Sequence, residues 1–155
     1  MTPPQLRMSP PSEVEPNATL ALSDFPRTVA TMGQFFDARG EPAYLVGGVV
    51  RDALLGRGMG DIDLAIGSDT DEIGPELAAL LGGRPVSLDA SRGIVRIVTG
   101  ESQEAAIDIG PLAGDIRTDL GRRDFTLDAM AVPISDLLHS EAGAPIIDPF
   151  GGRCD

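Results

Sequence analysis

The amino-acid sequence predicts a mixed α/β domain with a sheet of about five strands. Some segments space their apolar residues as helices do, others alternate polar and apolar residues as strands do, and glycines separate the two kinds. With 155 residues, 42% of them hydrophobic, the chain can bury one core, and its length favours a single domain.

The predicted elements follow one another through short connections. Helices are predicted over residues 23–40, 49–56, 71–81 and 119–130. Strands are predicted over residues 43–46, 61–66, 85–88, 93–98 and 105–109, with a further extended segment over 144–150. Residues 1–19 contain five Pro and few apolar residues, so we expect a flexible tail there and a folded domain over residues 20–155.

The chain is acidic, with a formal net charge of −12, and it contains twelve Arg and no Lys. The absence of Lys excludes a Schiff-base lysine, a lysine nucleophile and the lysine of a Walker-type phosphate loop. One His (His139) and one Cys (Cys154) exclude a zinc site built from His and Cys. Residues 61–155 hold eighteen acids and seven Arg, a net of −11, which opposes nucleic-acid binding because phosphate contacts rest on Lys and Arg.

The sequence has no apolar run near the roughly 18 residues that a membrane helix needs. Its N-terminus has no charged-then-apolar signal pattern. A single Cys allows no disulfide within the chain, which fits a reducing compartment. We therefore expect a cytoplasmic protein.

Two carboxylates stand two positions apart in the predicted strand over residues 61–66. In a strand, Asp61 and Asp63 point to the same face, with Cα atoms roughly 6.6 Å apart. Such a pair can share divalent ions that stabilise an in-line phosphoryl displacement. Taken alone, such a pair more often consists of two surface carboxylates that bind no metal. Asp69 and Asp71 have the same spacing and are assigned to helix capping because they lie in a turn.

A glycine pair, Gly47-Gly48, lies between a predicted strand and a helix start, where backbone N–H groups and the helix dipole favour an anion. Glycines let a triphosphate approach the backbone closely. Arg51, one turn inside the helix, could clamp phosphate oxygens. The alternative is a tight turn in which Arg51 pairs with Asp52.

Two later segments carry further candidates. Asp108 is a polar position in an apolar strand, and it could bind a metal or could be a sheet-edge charge that faces water. Arg122 and Arg123 could bind phosphate, although a charged helix end paired with its own acids would account for the same residues.

Three longer stretches resemble one family. Residues 45–67 (LVGGVVRDALLGRGMGDIDLAIG) resemble the first signature of the class II tRNA nucleotidyltransferase and poly(A) polymerase family. Residues 122–132 (RRDFTLDAMAV) resemble its second motif, and residues 146–152 (IIDPFGG) resemble its segment just before the neck. The resemblance covers about residues 27–155.

The resemblance implies a nucleotidyltransferase head of the DNA polymerase β type, which transfers a nucleotide from ATP or CTP to an RNA 3′-hydroxyl, as in tRNA 3′-CCA addition. It implies that Asp61 and Asp63 bind Mg²⁺ and that Asp108 is the third catalytic carboxylate. It also implies nucleotide binding by Gly47, Gly48, Arg51, Arg122, Arg123 and Asp124.

The chain departs from the family pattern in two respects. Asp128 stands where the family usually has Asn, and no neck, body or tail domain follows residue 155. We therefore expect a fragment of a longer enzyme that binds tRNA mainly through those other domains. Three alternatives stay open: poly(A)-type tailing, a protein or small-molecule acceptor, and a non-catalytic nucleotide-binding module.

Overall fold

The computed structural model describes residues 19–57, 60–99, 106–123 and 129–151. These residues form five α-helices: Arg27–Arg39 (α1), Gly48–Leu54 (α2), Thr70–Leu81 (α3), Ile116–Gly121 (α4) and Ile134–His139 (α5). They also form eight strands: Thr19–Leu20 (β1), Ala43–Val46 (β2), Ile62–Ile66 (β3), Gly83–Asp89 (β4), Ile94–Thr99 (β5), Ile107–Pro111 (β6), Ala131–Pro133 (β7) and Ala144–Pro145 (β8). The prediction of a mixed fold is confirmed.

Six of the strands form one mixed sheet in the order β4-β5-β6-β3-β2-β7. Only β3 and β6 are parallel neighbours in this sheet, and the other adjacent pairs are antiparallel. The remaining two strands, β1 and β8, pair with each other as a separate antiparallel ribbon. Strands β3 and β6 are the two middle strands of this sheet, so helices packed on the sheet can cover their side chains.

The large core lies on one face of this sheet. Helix α1 contributes Val29, Met32 and Phe36, whose spacing of three and four residues keeps them on one side of the helix. Alternate residues of β3 point to the same core, among them Leu64 and Ile66. Helices α3 and α5 complete the layer, and their core residues are Ile73, Leu77, Ala78, Ile134 and Leu137.

The other face of the sheet carries a smaller apolar cluster. Val46, Ala65 and Ala131 pack there against Leu120 of α4 and Ala129. Because side chains alternate along a strand, Ala65 lies on the same face as Asp63. At one end, this second face is therefore covered by small residues and by the short helix α4. The polar residues of the face lie beside these residues and are accessible.

The ends of α3 follow the capping prediction. Asp69 accepts a hydrogen bond from the backbone N–H of Asp71 at 2.9 Å, as an N-cap residue does. The assignment of this second D-x-D pair to helix capping is thus confirmed. The helix predicted over residues 23–40 is present as α1, but it begins only at Arg27, after a separate 3₁₀ turn over Leu22–Asp24, and it is capped by Gly40.

The sheet and the segment after it differ in detail from the predicted elements. The sheet has six strands because β7 joins it beside β2, where no strand was predicted. Apolar residues on both faces of β7 make an unbroken apolar run, which carries no alternation to mark a strand. The extended segment over residues 144–150 forms a strand only at β8, with one further bridge between Ile147 and Ala131.

The helix predicted over residues 119–130 begins earlier and is much shorter. Asp115 caps α4 by accepting a hydrogen bond from the N–H of Thr118 at 2.7 Å, so the helix begins at Ile116. It ends at Gly121, and Ala129 and Met130 are not helical. Helix α5 was not predicted, because its six residues are too few to show a clear helical period.

In the part of the chain that the structure describes, strand β4 is an edge of the large sheet and pairs with β5 alone. Its register with β5 shifts between Ser87 and Asp89, and its Val86 and Leu88 side chains are exposed.

Thr19, the last residue of the predicted flexible tail, pairs with Pro145. Among the described residues, no helix has both the length and the apolarity that are required to cross a bilayer.

Candidate active site

The predicted carboxylates lie together on the second face of the sheet. Asp63 on β3 stands directly opposite Asp108 on β6, and Asp61 precedes β3 by one residue. On the other side, Val46 is the partner of Asp63. The Asp108 side chain is only 16% exposed and lies on an inner strand, so the alternative of a sheet-edge charge facing water is wrong.

An arginine joins the carboxylates. Arg96 on β5 is the cross-strand partner of Asp108, and its Nε and Nη2 donate to the two carboxylate oxygens at 2.7 and 3.0 Å. The same Nη2 lies 3.7 Å from Oδ2 of Asp61. The other oxygen of Asp61 accepts a hydrogen bond from the N–H of Ala106 at 3.1 Å.

Asp63 is the carboxylate whose electrostatic environment is least favourable. Burial, together with the negative charges of Asp108 and Asp61, raises its pKa to about 6, although Arg123 and Arg96 act in the opposite direction. The repulsion arises because the sheet register holds acidic side chains side by side. A bound cation would relieve it.

The residues fit a divalent cation in donor type and in charge, because carboxylate oxygens are the protein ligands that Mg²⁺ prefers. In their present arrangement, however, no three His, Cys, Asp or Glu side chains of the described residues are close enough together to hold a metal. Arg96 contacts both Asp108 and Asp61. The side chains would therefore have to rearrange around Arg96 before Asp61, Asp63 and Asp108 could share an ion.

The glycine turn lies at the same edge of the sheet. Gly47 follows β2 directly after Val46, the partner of Asp63. Its φ of 75° favours glycine, and its N–H donates to the carbonyl of Met130 at 3.0 Å. Gly48 then begins α2, whose first backbone N–H groups have no acceptor within the helix. The predicted phosphate turn is therefore next to the carboxylates.

The Arg51 guanidinium folds back over this turn. A Cβ added at Gly48 would lie 3.3 Å from Nη2 of Arg51, so glycine leaves just enough room for the side chain. Nε of Arg51 also lies 3.5 Å from Oδ1 of Asp52. The predicted pairing with Asp52 is thus present, but at a long distance. The observed geometry is therefore compatible both with phosphate binding by Arg51 and with its pairing to Asp52.

A cavity of about 650 Å³ opens on the same face of the sheet, beyond the carboxylates. Ala65 and Gly110, which are small and stand opposite each other on β3 and β6, lie in its wall. Arg122 and Arg123 also line it. Arg123 is near enough to Asp63 to lower its pKa, so this predicted arginine lies beside the carboxylate row.

Asp119 holds Arg123 in this position. The Asp119 side chain is buried, accepts from the N–H of Ala113 at 2.9 Å, and accepts from Nη2 of Arg123 at 3.3 Å. Pairing of the arginines with their own acids was the alternative interpretation, and for Arg123 that pairing exists. Nε of Arg123 is buried and has no hydrogen-bond partner among the described residues, so the guanidinium keeps an unused donor.

The structure thus brings together eight of the nine predicted site residues, and Asp124 lies outside the described residues, as does Asp128. Sequence reasoning missed Arg96, and it included Asp119 only as one of the acids that could pair with the arginines. A signal for Arg96 was present, because it is the only charged residue in the strand IVRIVT. Asp119 gave no such signal, because it was one of several acids in a charged stretch.

Comparison with known proteins agrees with this geometry. Residues 43–112, which contain the glycine turn and all three carboxylates, match the model of the poly A polymerase head domain. The chain is 40% identical over 114 residues to the CC-adding tRNA nucleotidyltransferase of Geobacter sulfurreducens, an alignment that covers 73% of this chain and 25% of that enzyme. The chain belongs to the poly(A) polymerase and tRNA nucleotidyltransferase family.

A second relative of this head domain is the A-adding tRNA nucleotidyltransferase of Deinococcus radiodurans. It is 41% identical over 113 residues, which are 73% of this chain and 23% of that enzyme. The chain therefore spans about a quarter of the length of these curated relatives.

Solved structures show the same head-domain fold. The Thermotoga maritima CCA-adding enzyme complexed with tRNA superposes with a TM-score of 0.68 at 33% identity, over 82% of this chain and 29% of that one. A CCA-adding enzyme in complex with CTP gives a TM-score of 0.70 at 28% identity, over 86% of this chain and 33% of that one. The fold prediction of a nucleotidyltransferase head is confirmed.

Proposed function

We propose that this head domain transfers a nucleotide from ATP or CTP to an RNA 3′-hydroxyl, with tRNA 3′-CCA addition or repair as its reaction. The observation that carries the proposal is the position of Asp63 and Asp108 opposite each other beside the Gly47-Gly48 turn. Phosphoryl transfer needs the negative charge on the phosphate oxygens to be stabilised and the attacking oxygen to be held in line. A carboxylate row can hold a cation for this purpose, and the turn next to it can bind the phosphates.

The three carboxylates form the proposed Mg²⁺ site. Asp63 on β3 and Asp108 on β6 are cross-strand partners, and Asp61 lies one residue before β3. When bound, Mg²⁺ would neutralise phosphate charge and lower the pKa of the attacking hydroxyl. The chain's own contribution is to place Asp63 and Asp108 on neighbouring inner strands of the sheet, with Asp61 one residue before β3.

The triphosphate is assigned to the start of α2. Gly47 turns the chain with a positive φ at the start of α2, where backbone N–H groups of a first turn can donate to an anion. The guanidinium of Arg51 lies over the same turn and can donate to phosphate oxygens. Its pairing with Asp52 is long enough to be exchanged for a phosphate contact.

The nucleoside is assigned to the cavity beyond the carboxylates. Its volume of about 650 Å³ is in the range of small-molecule sites, and small residues in its wall leave room for a ring. The arginines Arg122 and Arg123 border it, and Asp124 follows them in sequence. Arg123 lines the cavity and its guanidinium is held by Asp119, which supports a role in contacting an oxygen of the nucleotide.

The acceptor RNA is assigned mainly to protein outside this head. The sequence has a net charge of −11 over residues 61–155, and its arginines near the site are already directed at carboxylates or at the cavity. A tRNA needs many phosphate contacts. We therefore infer that residues 20–155 act as the catalytic head of a longer enzyme and that residues 1–19 have no catalytic role.

A non-catalytic nucleotide-binding module is the second candidate. It is favoured by one observation, namely that Arg96 is placed among the carboxylates that a catalytic metal would need. This candidate predicts nucleotide binding without any transfer. Poly(A)-type tailing differs from CCA addition only in the acceptor and the base, which the assay below distinguishes.

The test compares two D-x-D pairs of the same chain. The 155-residue chain is incubated with Mg²⁺, radiolabelled CTP or ATP, and either tRNA lacking its 3′-CCA or an oligoadenylate. Asp61→Asn and Asp63→Asn should each abolish Mg²⁺-dependent nucleotide binding and any transfer. Asp69→Asn and Asp71→Asn are the matched controls, because Asn also caps helices well. Undiminished Mg²⁺-dependent binding in Asp63→Asn would contradict the proposal, and binding without transfer to any acceptor would favour the non-catalytic module.

A further inference from the structure

Arg96 uses its guanidinium as a two-pronged donor to a proposed metal ligand. Its Nε and Nη2 each contact a different oxygen of Asp108, at 2.7 and 3.0 Å. This paired geometry is the strongest form of an arginine–carboxylate contact. Both oxygens of Asp108 are therefore engaged by one side chain.

The same side chain extends to a second proposed ligand. Nη2 of Arg96 lies 3.7 Å from Oδ2 of Asp61, across the strands from its main partner. A positive charge thus lies within reach of two carboxylates that the proposed function assigns to one cation. Together with the missing three-ligand arrangement among the described residues, this indicates that the side chains are organised around the guanidinium.

The sheet keeps Arg96 in that place. Its neighbours on β5, Val95 and Ile97, are buried in the large core on the opposite face, so the backbone there cannot turn over. Arg96 is the cross-strand partner of Asp108 in the β5–β6 register. The Arg96 side chain itself is 34% exposed, which leaves it room to swing away while its backbone stays fixed.

We propose that Arg96 is an internal counter-ion that holds the carboxylate site in the absence of a divalent cation and must release Asp108 before a cation can bind there. The inference rests on the proposed assignment of Asp61, Asp63 and Asp108 as metal ligands. Arg96 and the cation compete for the same oxygens, so each excludes the other from Asp108. Arg96 therefore stabilises the metal-free domain and weakens its metal affinity. It is a positioning residue for the site.

The test uses metal binding and thermal unfolding, which need no catalytic activity. The full chain is compared with Arg96→Met, which keeps the apolar stem of the side chain and removes its charge. Arg84→Met, on the exposed edge strand β4, is the matched control for loss of one positive charge. Mn²⁺ binding is measured by electron paramagnetic resonance, and the melting temperature is measured in EDTA and at increasing Mn²⁺.

Arg96→Met is expected to melt several degrees lower than the wild type in EDTA, because Asp108 and Asp61 lose the guanidinium that contacts them. It should bind Mn²⁺ roughly tenfold more tightly, as the loss of one competing charge-assisted contact implies. Mn²⁺ should then raise its melting temperature more than that of the wild type. Arg84→Met should behave as the wild type in all three measurements.

Arg96→Lys guards against a variant that does not fold. Lysine keeps the charge but cannot make the two-pronged contact, so its Mn²⁺ affinity should lie between those of wild type and Arg96→Met. An Arg96→Met chain that folds only with Mn²⁺ would support the inference. If Arg96→Met does not fold at all, the inference depends on Arg96→Lys, and a wild-type Mn²⁺ affinity in that variant would overturn it.

The failures of the two proposals are distinguishable. A wild-type chain that binds no Mn²⁺, with or without nucleotide, would overturn the proposed metal site and this inference with it. A wild-type chain that binds Mn²⁺ while Arg96→Met matches Arg84→Met in affinity and in EDTA melting would leave the metal site standing and overturn the role of Arg96.

Discussion

Asp63 and Asp108 lie directly opposite each other on the parallel strands β3 and β6. The register of a sheet is set by its core, and here Ile62, Leu64 and Ile107 fix it from the buried face. The packing of the core therefore holds two acids side by side on the other face. The fold therefore maintains an electrostatic repulsion between the two carboxylates, which a bound cation would relieve.

The first prediction concerns Asp63 and pH. Burial and the charges of its neighbours raise its pKa from 3.8 to about 6, so between these values the folded chain binds more protons than the unfolded chain. Stability should therefore fall as pH rises from about 4 through about 6. At pH 7 in EDTA, Asp63→Asn should be more stable than the wild type, by up to about 3 kcal/mol because one pKa unit corresponds to about 1.4 kcal/mol.

Urea denaturation of both chains at a series of pH values checks this prediction. The advantage of Asp63→Asn should shrink as pH falls below about 6, where the wild-type carboxyl takes up its proton. Asp71→Asn, an exposed acid of α3, serves as the control. Equal stability of wild type and Asp63→Asn at pH 7 would show that the ionised carboxylate is not strained.

The second prediction concerns Arg51. Its guanidinium lies over the glycine turn, so Arg51→Ala should weaken CTP or ATP affinity by about 1.5–3 kcal/mol, the usual range for a hydrogen bond to a charged group. Isothermal titration calorimetry in Mg²⁺ gives the affinity. Arg57→Ala, an exposed arginine shortly after α2, is the matched control. A lower melting temperature with unchanged nucleotide affinity would instead assign Arg51 to a structural pair with Asp52.

The third prediction concerns Asp119. Its carboxylate is buried and accepts from the N–H of Ala113 and from Arg123, so Asp119→Ala leaves both donors without their partner. The free energy of unfolding should fall by about 1–3 kcal/mol. Nucleotide affinity should fall as well, because Arg123 loses the contact that orients it. Asp119→Asn keeps one acceptor for Ala113 and should lose less stability.

Chemical denaturation and nucleotide titration of the two Asp119 variants separate these effects. A loss of stability with full nucleotide affinity would show that Arg123 does not depend on Asp119 for its position. Such a result would leave the hydrogen bond to Ala113 as the main role of the carboxylate.

The fourth prediction concerns RNA. With twelve Arg, no Lys and a net charge of −12, the isolated chain offers few phosphate contacts. It should bind tRNA weakly, with a shallow dependence on salt, and any transfer should be slow and poorly base-selective because the acceptor is not held in line. Filter binding with tRNA at low and moderate salt measures this. Tight and strongly salt-dependent binding would show that the head carries its own RNA site.

Most of the fold was predictable from local patterns. Helix α1 shows a clear helical period with a glycine at its end, and β3 alternates, so both were found at nearly their observed bounds. Strand β7 and helix α5 were not found, because three and six residues are too short to show a period. Their conformations are decided by packing against β2 and α1.

The site was predictable in composition but not in connectivity. Asp61 and Asp63 could be placed on one face from their spacing alone, since that is a property of any strand. The contact between Arg96 and Asp108 could not, because it depends on the pairing of β5 with β6 and on nothing local. Pairing partners across a sheet are set by the whole core.

The irregular edge of the large sheet has a consequence for self-association. Among the described residues strand β4 has one neighbour, and an exposed edge invites another chain to add a strand. Here Pro85 lacks an N–H to offer, Arg84 and Asp89 bring charge, and the register shift after Ser87 breaks the regular row of donors and acceptors. Strand addition at β4 is therefore unfavourable, although Val86 and Leu88 are exposed, and aggregation through this edge is disfavoured even when the chain is concentrated.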